Sequence, residues 1–153
     1  MPDLFSHMAA ARLPASFLRD PRLAALVVIG TFLPDLAAKG VYWVLWSGDF
    51  YDAPSHGLVG ILLLSYAGSL FLEEGLRAGG FRALAAGGLI HAGLDILKDT
   101  FDIGGPAFFY PFSTRCYGLG LLDPINPGWL FPIDVALLLA AWAIERRRRR
   151  VRQ

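Results

Sequence analysis

The residues of this chain that could carry chemistry are few, and they sit in apolar surroundings. His91 and Asp95 stand four apart in a run of Ala, Gly, Leu and Ile. On a helix that spacing puts an imidazole and a carboxylate on one face, about 40° apart around the axis. Asp99 and Asp102 extend the stripe, with Lys98 beside it. Such a face can offer nitrogen and oxygen donors to one cation. A His–Asp hydrogen bond closed on itself, with Lys98 and Asp99 solvated at the helix end, reads the same residues more simply. Asp35 follows Pro34 inside another apolar run. Proline removes a backbone donor and breaks or kinks a helix. A carboxylate at that break can face a polar cavity, or pair with Lys39 four residues on. His56 ends Asp52-Ala53-Pro54-Ser55-His56 at the start of a third apolar run. Ser55 or Asp52 could cap that helix and leave His56 at an interface, or His56 could enter the same cavity as His91. Asp134 could pair with Lys98, Arg115 or a ligand group and stays unassigned. By composition alone His7 is an incidental terminal histidine.

The elements that must position these residues are four apolar stretches, at 23–46, 57–72, 81–97 and 129–144. The chain has 153 residues, which bounds it to one domain over 1–153 with a basic tail at 146–153. It is 55% apolar and 18% charged, with a mean hydropathy of +0.48, against about 45–50% and about 25% in average soluble domains. Disorder is excluded. A net charge of +1 argues against a nucleic-acid binder. One cysteine excludes an internal disulfide framework and a Cys-rich zinc site.

A bilayer span needs roughly 17–25 mostly apolar residues, and the second and fourth stretches sit at the short end. Trp43, Trp46 and Trp129 mark segment ends, where membrane proteins place aromatic belts. If all four stretches cross, eleven of the fourteen Lys and Arg fall on one side, including Arg12, Arg19, Arg22, Arg77, Arg82 and the Arg146–Arg150 run. The positive-inside rule makes that side the cytoplasm. The Arg run directly after an apolar helix suits lipid headgroups better than nucleic acid. No cleavable signal peptide is visible. The expected fold is therefore all-α: a small polytopic membrane bundle of about four transmembrane helices plus a short N-terminal helix. Four buried helices of a soluble all-α protein are the competing arrangement. Residues 99–128, rich in Gly, Pro and aromatics, form a long loop of the kind that usually carries function.

In that topology His56, His91 and Asp95 lie toward the outer face, with Asp35 about mid-depth. Ionisable groups at membrane depth are costly and are functional candidates for that reason. Imidazole nitrogens and Asp oxygens suit Zn²⁺ or a similar divalent cation, and carboxylate-bearing sites can hold two.

The order of motifs resembles that of a known family. Met1-Pro2-Asp3-Leu4-Phe5-Ser6-His7, Leu33-Pro34-Asp35, Pro54-Ser55-His56-Gly57-Leu58, His91-Ala92-Gly93-Leu94-Asp95 and Tyr110-Pro111-Phe112-Ser113 are similar to the motifs of the bacterial YdjM-like family. That family comprises predicted membrane-bound, metal-dependent hydrolases, and it resembles zinc-dependent phospholipase C and the S1/P1-type nucleases. The resemblance covers residues 1 to about 113. It implies a divalent-metal site of His7, Asp35, His56, His91 and Asp95, and phosphate-ester hydrolysis in a bacterial inner membrane. It raises His7 from incidental to ligand. Leu36-Ala37-Ala38-Lys39 stands where the family often carries a further acidic or His residue, so one or two ions are expected rather than three.

On this reading a cation lowers the pKa of water toward about 7 for attack on phosphorus. Asp52 or Asp99 orients ligands or serves as general base. Lys98 or Arg115 neutralises phosphate charge, and the aromatic loop with Tyr110 seats a lipid chain or headgroup. Membrane lipids and a phospholipid or isoprenoid phosphate are the expected partners. Two other classes stay open: a non-catalytic metal-binding scaffold, whose site would be closed, and a small ion- or proton-coupled transporter, whose Asp35, Asp95 and Asp134 would line one path across the bilayer.

Overall fold

Asp20 and Pro21 start a helix in the way their chemistry suggests. Proline is tolerated in a first turn, where its missing N–H would have had no partner. The Asp20 carboxylate accepts the Arg22 backbone N–H at 2.9 Å. The Arg22 side chain also bonds it, and this holds the Asp20 carboxyl below the usual range. In the computed structural model, which describes residues 4–45, 54–98, 106–121 and 127–151, this helix is the second of six. They are α1 (Leu4–Ala15), α2 (Pro21–Gly30), α3 (Leu33–Leu45), α4 (Leu58–Leu70), α5 (Glu74–Lys98) and α6 (Pro127–Val151), with a 3₁₀ turn at Pro54–His56. There is no strand among the described residues.

The apolar stretch at 23–46 is two helices rather than one. Thr31 and Phe32 close α2, and the Thr31 hydroxyl donates back to the Val28 carbonyl at 2.6 Å. Pro34 then lies in the first turn of α3, a place it tolerates. No single described helix is long and apolar enough to cross a membrane; Pro21–Gly30 and Leu33–Gly40 together reach that length and hydropathy, bent by 43°. The 13 residues of α4 rise about 20 Å at 1.5 Å each. The 25 residues of α5 and of α6 are long enough, but α5 opens on Glu74, Arg77 and Arg82 and α6 runs out into arginines.

Contacts fix the directions of these elements. α1 runs alongside α6 in the same sense: Phe5 stacks on Phe131, the Ser6 hydroxyl donates to Asp134, and Arg12 pairs with Glu145. α2 runs along α5 in the same sense, Leu23 against Gly79 and Gly30 against Leu84. α4 runs against α5, with Ile61 at Gly88 and Gly68 at Leu84. The interfaces are made of small residues. Ala11, Ala15, Ala24, Val27 and Ala83 form the buried cluster. A Cβ on Gly87 would overlap the Val27 carbonyl oxygen, and one on Gly30 the Leu84 carbonyl oxygen. These two glycines let the backbones of α2 and α5 touch.

The result is a bundle with two unlike ends. One end holds the start of α1, the α2–α3 break, the 3₁₀ turn and the C-terminal part of α5. The other collects Arg12, Arg19, Arg22, Arg77 and the arginines of α6. Large apolar side chains face outward on α4, at Phe71 just after it, and on α6, among them Leu63, Tyr66, Phe131, Leu139 and Trp142.

Candidate metal centre

The i, i+4 spacing on α5 does bring His91 and Asp95 together, with His91 Nε2 at 3.1 Å from Asp95 Oδ2. The first two turns of α1 place His7 over them. Its ring stacks on that of His91 at 4.1 Å between centroids, and its Nε2 lies 3.6 Å from Asp95 Oδ1. The first turn of α3 aims Asp35 at the same point, 3.8 Å from His91 Nε2. The 3₁₀ turn supplies His56, whose Nε2 lies 3.4 Å from Asp35 Oδ1 and 3.9 Å from Asp95 Oδ2. Five side chains from four elements therefore meet at one place. Their donor atoms form two groups within 4.8 Å, His7–His91–Asp95 and Asp35–His56–His91, which share His91 and could hold a metal ion.

Three observations bear on whether a cation fits. His91 Nδ1 is fully buried and has no hydrogen-bond partner among the described residues, and Nε2, equally buried, lies 3.1 Å from Asp95 Oδ2 without good hydrogen-bond geometry; a buried polar atom without a hydrogen bond costs free energy. Two carboxylates and three imidazoles meet with little exposure to solvent. The side chains of His91 and His7 are 1% and 2% exposed, and those of Asp35 and Asp95 are 10% and 12% exposed. Like charges buried this way call for a compensating positive charge. The described Lys39 reaches only the far oxygen of Asp35, at 4.0 Å, and is half exposed itself. Lastly, donors bonded to one ion at about 2.0–2.1 Å lie about 2.9–3.4 Å apart in octahedral or tetrahedral shells. The contacts of 3.1–3.9 Å match such edges or exceed them by a few tenths of an ångström.

Neighbours hold the ligand set in place. Ser55 Oγ lies 3.2 Å from His56 Nδ1, and this contact turns Nε2 toward the carboxylates. Buried Asp134 accepts the Ser6 hydroxyl at 2.7 Å and so pins α1 to α6 one residue before His7. Neither role could be read from local sequence, since each depends on a contact made by folding. The loop at 106–121 ties the same end together. Leu58 N–H donates to the Phe108 carbonyl at 2.8 Å, and Leu119 N–H to the Ile96 carbonyl at 2.6 Å. The second bond satisfies a carbonyl left open at the end of α5.

Of the other sequence-predicted residues, Tyr110 lies against Gly57, next to His56. Arg115 is exposed and sits over the Tyr117 ring at 5.8 Å; its described contacts stay within the loop. Lys98 is the last residue of α5. Asp52 and Asp99 lie outside the described residues. No family model, curated protein or solved structure matches this chain.

Proposed function

We propose that this chain is a membrane-embedded, metal-dependent hydrolase of phosphate esters, of the kind its resemblance to the YdjM-like family implies. The observation that carries the reading is the convergence of His7, Asp35, His56, His91 and Asp95, contributed by four separate elements. Three imidazoles and two carboxylates suit one or two Zn²⁺ ions. When bound, such an ion supplies Lewis acidity for a phosphoryl oxygen and lowers the pKa of water.

The chain's own residues supply the rest. His91 and His7 form the dry floor of the site. His56, Asp35 and Asp95 are its more open edge, the side from which substrate enters. Ser55 orients His56. Asp52 and Asp99 each stand four residues from a ligand and are the proposed sources of the general base. Lys98 and Arg115 are the proposed partners of phosphate charge. Exposed Phe109, Phe112 and Leu119 on the loop give this end an apolar rim suited to a phospholipid or isoprenoid phosphate.

The membrane placement draws on two features. Large apolar side chains cover the outside while small ones fill the inside, and most of the arginines, Arg115 apart, gather at the end away from the site. With the positive end in the cytoplasm, the site opens to the outer face of a bacterial inner membrane.

The test is turnover. Detergent-purified protein is screened against phosphate mono- and diesters, including a phospholipid and an isoprenyl phosphate, with and without chelator. Hydrolysis that chelator abolishes and Zn²⁺ restores is expected. Metal-loaded protein that turns over none of them would reduce the site to a structural one.

A further inference from the structure

The end of the bundle opposite the metal centre holds a cleft of about 320 Å³, between the last turn of α1, the link to α2 and the C-terminal turns of α6. Arg12, Arg19 and Arg148 line it, and Glu145 is the one acidic residue in its wall among the described residues. Arg12 is paired with Glu145 at 2.6 Å. Arg148 is held in position from the far end of the sequence: one guanidinium nitrogen donates to the carbonyls of Ser16 at 3.1 Å and Leu18 at 3.4 Å. That leaves the rest of its planar fork for another acceptor. Arg19 is exposed and has no ion pair or hydrogen bond among the described residues. Three guanidiniums against one carboxylate give the wall a surplus of two positive charges. Phe17 and Leu18, 56% and 40% exposed, stand on the rim, and Arg148 lies 5.6 Å over the Phe17 ring.

A partly pre-positioned cationic cleft with an apolar lip matches a ligand that is anionic at one end and greasy at the other. We propose that this cleft binds the phosphodiester headgroup of an anionic phospholipid from the leaflet at the arginine end, with Phe17 and Leu18 against its acyl chains. Arg19 and the open edge of Arg148 take the phosphate oxygens, since guanidinium matches that geometry. The site anchors α1 to α6 at the end where lipid headgroups meet the bundle. The proposal rests on the membrane placement above and is independent of the metal centre.

The experiment uses the full chain in phosphatidylcholine nanodiscs with and without phosphatidylglycerol, and reads retained lipid by native mass spectrometry. Wild type should retain phosphatidylglycerol in preference to phosphatidylcholine. Arg19→Gln, which breaks no described contact, should lower that preference roughly fivefold, the worth of one cation near an anionic surface, and Arg19→Lys should restore part of it. Metal content should be the same in all three. Equal retention of both lipids by wild type, or an Arg19→Gln variant as selective as wild type, overturns the proposal. So does inorganic phosphate that displaces the bound lipid, because the site would then be one for free anions. The membrane premise is read separately: a chain that stays in solution without detergent overturns the placement and the lipid site together, whereas an inserted chain without lipid preference overturns the lipid site alone.

Discussion

Asp95 is the residue on which the metal centre turns, because its two oxygens between them face all three imidazoles. Oδ1 lies 3.6 Å from His7, and Oδ2 lies 3.1 Å from His91 and 3.9 Å from His56. Asp95→Asn keeps the shape and removes the charge. Structural zinc binds with about 10–16 kcal/mol at pH 7, commonly through four ligands, or about 2.5–4 kcal/mol for each. At about 1.4 kcal/mol per factor of ten, losing the carboxylate should weaken zinc by about 10²–10³-fold. The effect can be read as stability. With zinc at one hundred times the wild-type Kd, binding adds about 2.7 kcal/mol to the folded state. A hundredfold weaker variant at the same concentration gains about 0.4 kcal/mol. The difference of about 2.3 kcal/mol corresponds to about 5–9 °C in Tm for a chain of this size. Thermal unfolding of detergent-purified protein, with zinc and with chelator, measures it. Lys39→Ala is the control, since Lys39 is half exposed and touches only the outer oxygen of Asp35; its zinc-dependent rise should match wild type. An Asp95→Asn protein with the full zinc-dependent rise would refute the assignment of Asp95 as a ligand.

Other outcomes follow from the same geometry. Gly87→Ala drives a Cβ into the Val27 carbonyl and should cost about 1–3 kcal/mol, seen as a lower Tm; Gly93→Ala, with open space around its Cβ, should be neutral or stabilising by up to about 1 kcal/mol. Metal ligands must be deprotonated, so acidification should release the ion: zinc affinity should fall as pH drops, and a pH-independent affinity would point to a site without imidazoles. In a Cys116→Ser background, Thr114→Cys should react with a membrane-impermeant maleimide on intact cells and Arg150→Cys should not. The reverse pattern would invert the orientation.

Helical character was legible in the sequence, because long apolar stretches leave few alternatives. So was the His91–Asp95 pair, which depends only on the 3.6-residue period. Asp35 was legible as a carboxylate at a helix break, and its alternative pairing with Lys39 is present as well. The two readings divide the carboxylate: Oδ2 faces Lys39 while Oδ1 faces His56 and His91. The extent of the apolar stretch at 23–46 misled, because Pro34 reads as a kink until one knows that Thr31 and Phe32 have already closed the helix before it. His7 carried no local signal. Its place depends on α1 lying beside α6 and folding back into α2 at Pro21, and that hairpin puts residue 7 at the same end as residue 91 while leaving Arg12 and Arg19 at the other. The same hairpin reconciles an N-terminal ligand with the sorting of arginines. Asp134 was a buried carboxylate in search of a counter-charge; it found a hydroxyl, Ser6, in a helix more than a hundred residues away.

The central claim is that a cation joins these five side chains, and zinc K-edge X-ray absorption on the zinc-reconstituted, detergent-purified protein tests it most directly. The account predicts nitrogen and oxygen neighbours at about 2.0–2.1 Å with outer-shell scattering from about three imidazoles, reduced by one in His7→Ala. Failure to retain zinc, a sulfur shell at about 2.3 Å, or a spectrum without imidazole scattering would contradict it.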